Sequence, residues 1–239
     1  NIQGNPNLTA CYVHNVDLRY ELYPSKSELV SVALFYKNFQ NPIEWTYTVA
    51  GGTDPIYSYK NAKGAYSYGV ELDIKKSLDF IGVPDLSLVF NGALIKSKVN
   101  FDKGDQEKNR PMQGQSPYII NTGLFYQNSR IGLSAALLYN RIGKRIVGVG
   151  RSMGSVDDNV RIPDSYEMPR NAVDINLSKK IGSHFELKLS VKDLLGESVV
   201  FKQFEDGIRL NNGTVKNAEE VTRCYKPGRN YSLSVTYNF

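Results

Sequence analysis

The residues on which catalysis and metal binding usually rest are scarce in this sequence. It has two histidines, His14 and His184, and two cysteines, Cys11 and Cys224, with no CxxC pair. Zinc is therefore not expected, while one disulfide and two free thiols both stay open. No apolar run approaches the ~18–20 residues that a membrane-spanning helix needs. That excludes a helical span but not a β-barrel, whose lipid face takes only every second residue. A dense basic run is missing as well. The 29 Lys and Arg are mixed with 24 Asp and Glu, so the net charge of +5 is no nucleic-acid footprint. A mild positive excess also suits a surface facing anionic lipid headgroups. The residues after Asn1 are polar and show no signal peptide, so either a leader was removed or the chain is a piece of a longer one.

Catalytic constellations are absent in the same way. Nucleophilic catalysis by a Ser–His or Asp–His pair needs a well-placed imidazole. His184 falls in the tight turn IGSH, and His14 stands near the start of the first strand with no evident partner. The glycines of GVGRSMG (148–154) open a loop, not a helix, so they form no phosphate cradle. No enzyme activity and no cofactor are expected.

What the sequence does contain is alternation. It has 16 Tyr, 10 Phe and 20 Gly, many aromatics for a chain of negative mean hydropathy, which suits amphipathic strands. DLRYEL sets Asp17, Arg19 and Glu21 against Leu18, Tyr20 and Leu22. LVSVALFYK places Val30, Val32, Leu34 and Tyr36 on one face, and YSYGVELDIKKSL separates Tyr66 to Ile74 from Ser67 to Lys75. LSLVFNGALIKSKV (86–99) is apolar on both faces. YIINTGLFYQ, IGLSAALLYNRIGKRIV, NAVDINLSKK, FELKLSVKDLL and the terminal YSLSVTYNF complete the series. Period two thus runs through about nine strands of roughly ten residues. Short turns (PSKSE, IGVPD, QNSR, IGSH) alternate with long links at about 41–63, 101–114, 150–165 and 196–222. A soluble sandwich has no reason to sort its loops by end, whereas an outer-membrane barrel does so. The reading is all-β: a membrane β-barrel of about nine antiparallel strands, in the bacterial outer membrane.

The two faces differ in chemistry. Charges such as Asp17, Glu71, Asp73, Lys75, Glu186, Lys188 and Lys192 share the face opposite the aliphatics. Facing lipid, each Lys would cost ~2–4 kcal/mol near the midplane, so these residues are expected to point inward with Asn121 and Ser234. Leu18, Val32, Leu72, Leu124, Leu137, Ile175, Leu189 and Val235 are expected to point outward. The terminal strand, with Tyr231, Leu233, Val235, Tyr237 and Phe239 on one face, resembles the C-terminal signal of bacterial outer-membrane proteins. That resemblance implies recognition by the barrel assembly machinery. The strand itself is expected to pair with residues 185–195 on one side, and Cys11 and Cys224 to stay unpaired with each other.

Several stretches are similar to the C-terminal half of Bacteroidetes-type TonB-dependent receptors. They are NPNLT (5–9), VDLRYELYP (16–24), ELVSVALFYKNFQNPIE (28–44), YGVELDIKKSLDF (68–80), RPMQGQSPYIINTGLFYQ (110–127), LLYNRIGKRIVGVG (137–150), YEMPRNAVDINLSKKIG (166–182) and FELKLSVKDLLGE (185–197). The resemblance implies that 1–239 is the C-terminal part of a plugged barrel of about 22 strands. An odd strand count agrees, since complete bacterial barrels have even numbers. The plug domain and first strands would then lie outside this sequence. It further implies active uptake of a scarce nutrient (siderophore, haem, vitamin, glycan or peptide), coupling to the TonB complex through the plug, contact with outer-membrane lipid and lipopolysaccharide, and room for a surface lipoprotein partner over the barrel. A passive porin or a structural outer-membrane barrel is the alternative that these strands leave open.

Ligand contacts are expected from long loops that carry aromatics and charges. The candidates are Trp45, Tyr47, Tyr57 and Tyr59 in the first loop, and Arg151, Asp157, Asp158 and Arg161 in the third. Trp45, the single tryptophan, can equally be an interface anchor.

Overall fold

The computed structural model describes residues 2–49, 55–102, 107–152, 161–209 and 215–239. Its strands are β1 (Tyr12–Leu22), β2 (Leu29–Gln40), β3 (Ile43–Val49), β4 (Pro55–Asn61), β5 (Gly64–Ser77), β6 (Leu86–Asn100), β7 (Tyr118–Asn128), β8 (Leu133–Ile142) and β9 (Arg145–Gly148). They continue as β10 (Arg151–Ser152), β11 (Arg161–Ile162), β12 (Ser165–Glu167), β13 (Asn171–Ile181), β14 (Phe185–Lys192), β15 (Val199–Arg209), β16 (Val215–Tyr225) and β17 (Asn230–Tyr237). One 3-10 turn, Asp79–Ile81, is the only helical element among the described residues.

Nine strands form one sheet in the order β1-β2-β5-β6-β7-β8-β13-β14-β17, each antiparallel to its neighbours. These are the nine alternating segments of the sequence, in chain order. The register keeps their faces apart: Leu34 lies opposite Leu18 and Val70, Leu124 opposite Leu88 and Leu137, and Leu189 opposite Leu177 and Leu233. The set expected outward therefore lies on one face, and Asp17, Glu71, Asn121, Lys188 and Ser234 lie on the other. A one-residue slip in any strand would reverse its faces, so the pattern and the pairing specify each other.

The apolar face is open. Leu18 is 68% exposed, Leu34 52% and Leu94 63%, exposed aliphatics on neighbouring strands of the kind that mark an interaction or membrane surface. Small buried residues instead line the polar face, with Ser31 and Ser67 nearly inaccessible. Near one end of the wall that face carries a small core of Ala62, Ala65, Val99 and Phe101, covered by Phe39 and Met112. Val99, one of the apolar residues that 86–99 turns to the polar face, thus packs within this small core.

Short turns gather at the opposite end. Gly132 turns the chain at φ 62, and its carbonyl accepts from the Lys180 amide at 2.8 Å. A Cβ there would approach Lys180 Cβ to 2.9 Å, so both φ and space favour glycine. The Asn238 amide donates to the His184 carbonyl at 2.8 Å, which puts the end of β17 beside the β13–β14 turn. β17 pairs with β14 from Phe185↔Tyr237 to Lys192↔Asn230, as the terminal-strand reading requires.

The long links differ from expectation. Composition suggested loops, but most of their described residues are strand. β3 and β4 pair from Ile43↔Asn61 to Val49↔Pro55, and β16-β15-β12-β9 form a second sheet. Their Gly, Asn and Asp content signals turns, but the aromatic and β-branched runs WTYTV and VVFKQF carry strand propensity between them. These strands prolong the wall past the end opposite the short turns.

Candidate functional site

Polar side chains on the wall's polar face join across strands. Asn91 donates to Asp73 at 2.5 Å, Asn121 to Asn91 at 3.2 Å and Asn140 to Asn121 at 2.6 Å. The register dictates this, since Asp73, Asn91, Asn121 and Asn140 are successive cross-strand partners on β5, β6, β7 and β8. Each amide offers both a donor and an acceptor, so a row of asparagines propagates without an orphaned group. Arg19 extends the row to the sheet edge. Its guanidinium lies 2.6 Å from Glu21 and 3.5 Å from Asp73, reaching across β2 where Ser31 and Ala33 are small.

Further along the same face, small side chains of β8, β13, β14 and β17 leave a hollow of about 420 Å³, with Ser134, Asn176, Ser178, Lys188, Ser190 and Ser234 among its lining. Its hydroxyls are hydrogen-bonded within the wall, Ser178 donating to Glu186 and Ser190 to Asn176, each at 2.7 Å. Among the described residues no group of three or more His, Cys, Asp or Glu is placed to hold a metal ion.

At the opposite end from the short turns, the β3–β4 hairpin is held by the loop after β6. Arg110 donates to Glu44 at 2.8 Å, with both residues buried. Glu107 accepts from Lys60 at 2.9 Å and from the Thr46 hydroxyl. Burial pushes the Glu107 carboxyl up, but the hydrogen bonds from Thr46 and Lys60 outweigh it and hold it below the usual carboxylate range. Phe101 lies between the two cations, 5.7 Å from Lys60 Nζ and 5.5 Å from the Arg110 guanidinium carbon. From the N-terminal side, the Gln3 amide donates to Tyr57 O at 2.8 Å and Asn5 to Tyr59 O at 2.8 Å.

The first-loop candidates fall on this hairpin. Trp45 is 4.3 Å from Tyr59 and 6.3 Å from Tyr57, centroid to centroid, and Tyr47 is the backbone partner of Tyr57. Alternation puts Trp45 on the opposite hairpin face from Glu44 and Thr46, which hold the loop. The third-loop candidates sit elsewhere: Arg151 and Arg161 belong to the two-stranded ladder β10–β11, and Asp157 and Asp158 lie outside the described residues. The two ladders are separate sheets. Sequence reasoning missed the Glu44, Lys60, Phe101, Glu107 and Arg110 cluster, whose members carry no shared motif. It also missed the asparagine row, which could have been found by noting one Asn at mid-strand on the polar face of three successive strands.

The sheet formed by β9, β12, β15 and β16 is tied by charge and rings. Arg145 binds Glu167 at 2.7 Å. Lys144 Nζ stands 4.7 Å from both Tyr166 and Phe204, and the Arg223 guanidinium 4.9 Å from Tyr225. Below it, Arg170 binds both Asp193 oxygens at 3.0 and 2.9 Å. Glu197 receives the Asn171 side chain at 2.8 Å and its amide at 2.6 Å, which hold its carboxyl below the usual range.

Comparison with known proteins identifies this architecture. Residues 1–194 match the family model described as TonB dependent receptor-like, beta-barrel. No curated protein matches the sequence. Among solved structures, a mutant ferric enterobactin receptor from Pseudomonas aeruginosa in complex with enterobactin is 20% identical at TM-score 0.62, covering 100% of this chain and 33% of that one. The siderophore receptor PirA from Acinetobacter baumannii is 18% identical at TM-score 0.62, with the same coverages. The ferric yersiniabactin uptake receptor FyuA from Yersinia pestis is 17% identical at TM-score 0.59, covering 96% and 30%. The chain thus spans about a third of the length of these structures, and at such identities the likeness is one of fold.

Proposed function

The chain belongs to the TonB dependent receptor-like β-barrel family, whose members are outer-membrane proteins, and we propose that it is the C-terminal part of a receptor for TonB-dependent uptake of a scarce nutrient. The nine-stranded sheet is one stretch of a larger barrel wall, its open aliphatic face in lipid and its asparagine row toward the lumen. The observation that carries the proposal is the family match together with that hydrogen-bonding inner wall, which suits a lumen filled by a plug and its waters. The segments that resemble Bacteroidetes-type receptors favour that branch of the family, the TonB complex as partner through the plug, and a surface lipoprotein over the mouth. The nutrient stays a class: siderophore, haem, vitamin, glycan or peptide. Trp45, Tyr57 and Tyr59, clustered on one hairpin, are the contacts proposed for it, with Tyr47 and the third-loop residues Arg151, Asp157, Asp158 and Arg161 completing the set.

The test is uptake by cells expressing the full-length receptor, with and without TonB, of a labelled panel of ferric siderophore, haem, cobalamin, oligosaccharide and peptide. Uptake of one class should disappear without TonB. Uptake that persists would overturn the proposal in favour of a passive porin. The terminal strand adds a second expectation. The face of Tyr231, Leu233, Val235, Tyr237 and Phe239 is proposed to be read by the barrel assembly machinery, so deleting Phe239 should lower the amount of heat-modifiable barrel without changing ligand affinity.

A further inference from the structure

The NPNLT segment (5–9) lies against the aromatic hairpin. β1 borders β2, which β3 prolongs, so the chain leading into β1 would be expected beside β3. Residues 2–9 run along β4 instead. Ile2 bridges Tyr57 in parallel, the Gln3 amide donates to Tyr57 O at 2.8 Å, and Asn5 Nδ2 donates to Tyr59 O at 2.8 Å. At the base of the hairpin the Thr9 amide donates to Asn61 Oδ1 at 2.8 Å. Asn61 Nδ2 donates to Thr9 O at 3.0 Å and to Asn41 O at 2.8 Å. Alternation puts Asn61 on the hairpin face of Tyr57, Tyr59 and Trp45. The segment therefore borders that face along β4 and crosses it below the rings on its way to β1.

Within the motif, Asn5 and Leu8 are half-buried, and Pro6, Asn7 and Thr9 are exposed. Asn5 uses both ends of its amide. Its Oδ1 accepts from the Asn7 amide at 2.9 Å, an Asx turn whose middle residue, Pro6, has a fixed φ and no N–H to offer. With Oδ1 held by that turn, Nδ2 is left to meet Tyr59 O. The Tyr57 and Tyr59 carbonyls point to this segment and away from β3. Tyr57 with Tyr47, and Tyr59 with Trp45, are therefore non-hydrogen-bonded pairs of the β3–β4 ladder. In such pairs opposed side chains come closest, and the Trp45 and Tyr59 rings lie 4.3 Å apart. A rotation of the Tyr59 peptide would move this ring contact directly, and the hydrogen bond from Asn5 resists it.

Resting on the reading of Trp45, Tyr57 and Tyr59 as nutrient contacts, we propose that Asn5 is a positioning residue for that aromatic cluster. Its carboxamide pins the free edge of β4, so that the rings meet the ligand in one arrangement. The hairpin is then held from both sides by different chemistry. Arg110 and Glu107 hold its other face through Glu44, Thr46 and Lys60. The NPNLT segment holds the ring side through neutral amides and brings no charge beside the rings.

Fluorine NMR of the full-length receptor labelled with fluorotryptophan tests this, with the Trp45 signal assigned by its loss in Trp45→Phe. Folded, heat-modifiable samples are compared. The wild type should give one narrow Trp45 resonance, and Asn5→Ala should shift and broaden it. Asn5→Asp keeps the acceptor for the Asn7 amide but lacks the donor to Tyr59 O, so it should behave as Asn5→Ala. Cells expressing the same variants supply a second readout, TonB-dependent uptake of labelled ferric siderophore, haem, cobalamin, oligosaccharide and peptide. For the class that the wild type takes up, the half-saturating concentration should rise about fivefold in Asn5→Ala, with the maximal rate unchanged. A Trp45 signal unchanged in Asn5→Ala would overturn the proposal. Wild-type behaviour of Asn5→Asp would overturn it too, because the turn alone would then suffice. So would a lower maximal rate at unchanged half-saturation, which is the mark of fewer folded barrels. Trp45→Ala separates this proposal from the one it rests on. Unchanged half-saturation in Trp45→Ala refutes the aromatic contacts themselves, while a rise there beside none in Asn5→Ala refutes the positioning role alone.

Discussion

The nine-stranded wall and the strands above it are both antiparallel sheet, yet different forces hold them. In the wall, every strand sorts its side chains between two solvents, and polar groups meet in a row that the register itself aligns. In the β3–β4 hairpin and the β9–β12–β15–β16 sheet, water lies outside the barrel in both directions, so partition cannot choose a face. Specific pairs take over: Arg110 with Glu44, Lys60 with Glu107, Lys144 between Tyr166 and Phe204, Arg223 over Phe201 and Tyr225. The wall should therefore tolerate exchanges that keep its alternation, and the mouth should fail at single residues.

The sharpest break in that contrast is Arg110→Ala. Removing one partner of a buried pair leaves the Glu44 carboxylate unpaired, a loss of about 3–5 kcal/mol. Hydrogen exchange should speed up in residues 107–112 and in β3, while β7, β8 and β13 keep their protection. Replacing both members, Arg110→Met with Glu44→Leu, should recover most of the loss. Equal loosening of the wall and the mouth would erase the distinction.

Next in size is a face reversal within the wall. Leu72→Lys places a cation on the lipid face and should cost about 2–4 kcal/mol near the midplane. Glu71→Lys, one residue along on the lumen side, should cost far less. Urea titration of the full-length barrel in lipid vesicles compares them. Similar losses for both would mean that the two faces do not meet different solvents.

These two tests also mark what the sequence disclosed. All nine wall strands were legible, because alternation between lipid and lumen is written into adjacent residues such as Glu71 and Leu72. Pairing of β17 with β14 followed from order alone. The upper strands were read as loops, since their glycines and acids dominate the composition and their stabilising partners are remote: Arg110 meets Glu44 with |i−j| of 66. The aromatic part of the candidate site was visible as Trp45, Tyr57 and Tyr59, whose proximity follows from a hairpin. What fixes that hairpin was not visible, because an ion pair between two loops leaves no periodic trace.

A smaller effect is expected within the asparagine row. Asn121→Ala leaves Asn91 and Asn140 each short of one partner on a hydrated face, where water can substitute. The loss should be about 1 kcal/mol, and less than additive with Asn140→Ala because the two share one hydrogen bond. A double-mutant cycle on vesicle-refolded receptor measures the coupling. Strict additivity would show that the row is a geometric coincidence.

The smallest effect is the one that acid should produce at the mouth. Glu107 has its folded pKa held below the ordinary carboxylate value by Thr46 and Lys60. Unfolding of the loop therefore takes up a proton as pH falls, and the stabilisation is complete above the unfolded pKa. It declines as pH drops through the ordinary carboxylate range toward the folded pKa and is gone below it. Glu107 is one of several contacts on the loop, beside the Arg110–Glu44 hydrogen bond and the packing of Phe101 against Lys60 and Arg110, which keeps the effect modest. Exchange of the amides in 43–61 should accelerate on acidification in the wild type, and this pH dependence should largely vanish in Glu107→Gln, whose amide cannot ionise. Exchange in β13 and β14, corrected for the intrinsic effect of pH, should not follow the same curve. If the wall and the hairpin loosen together, and Glu107→Gln changes neither, then the mouth is not an independently held region and its ion pairs merely decorate the barrel.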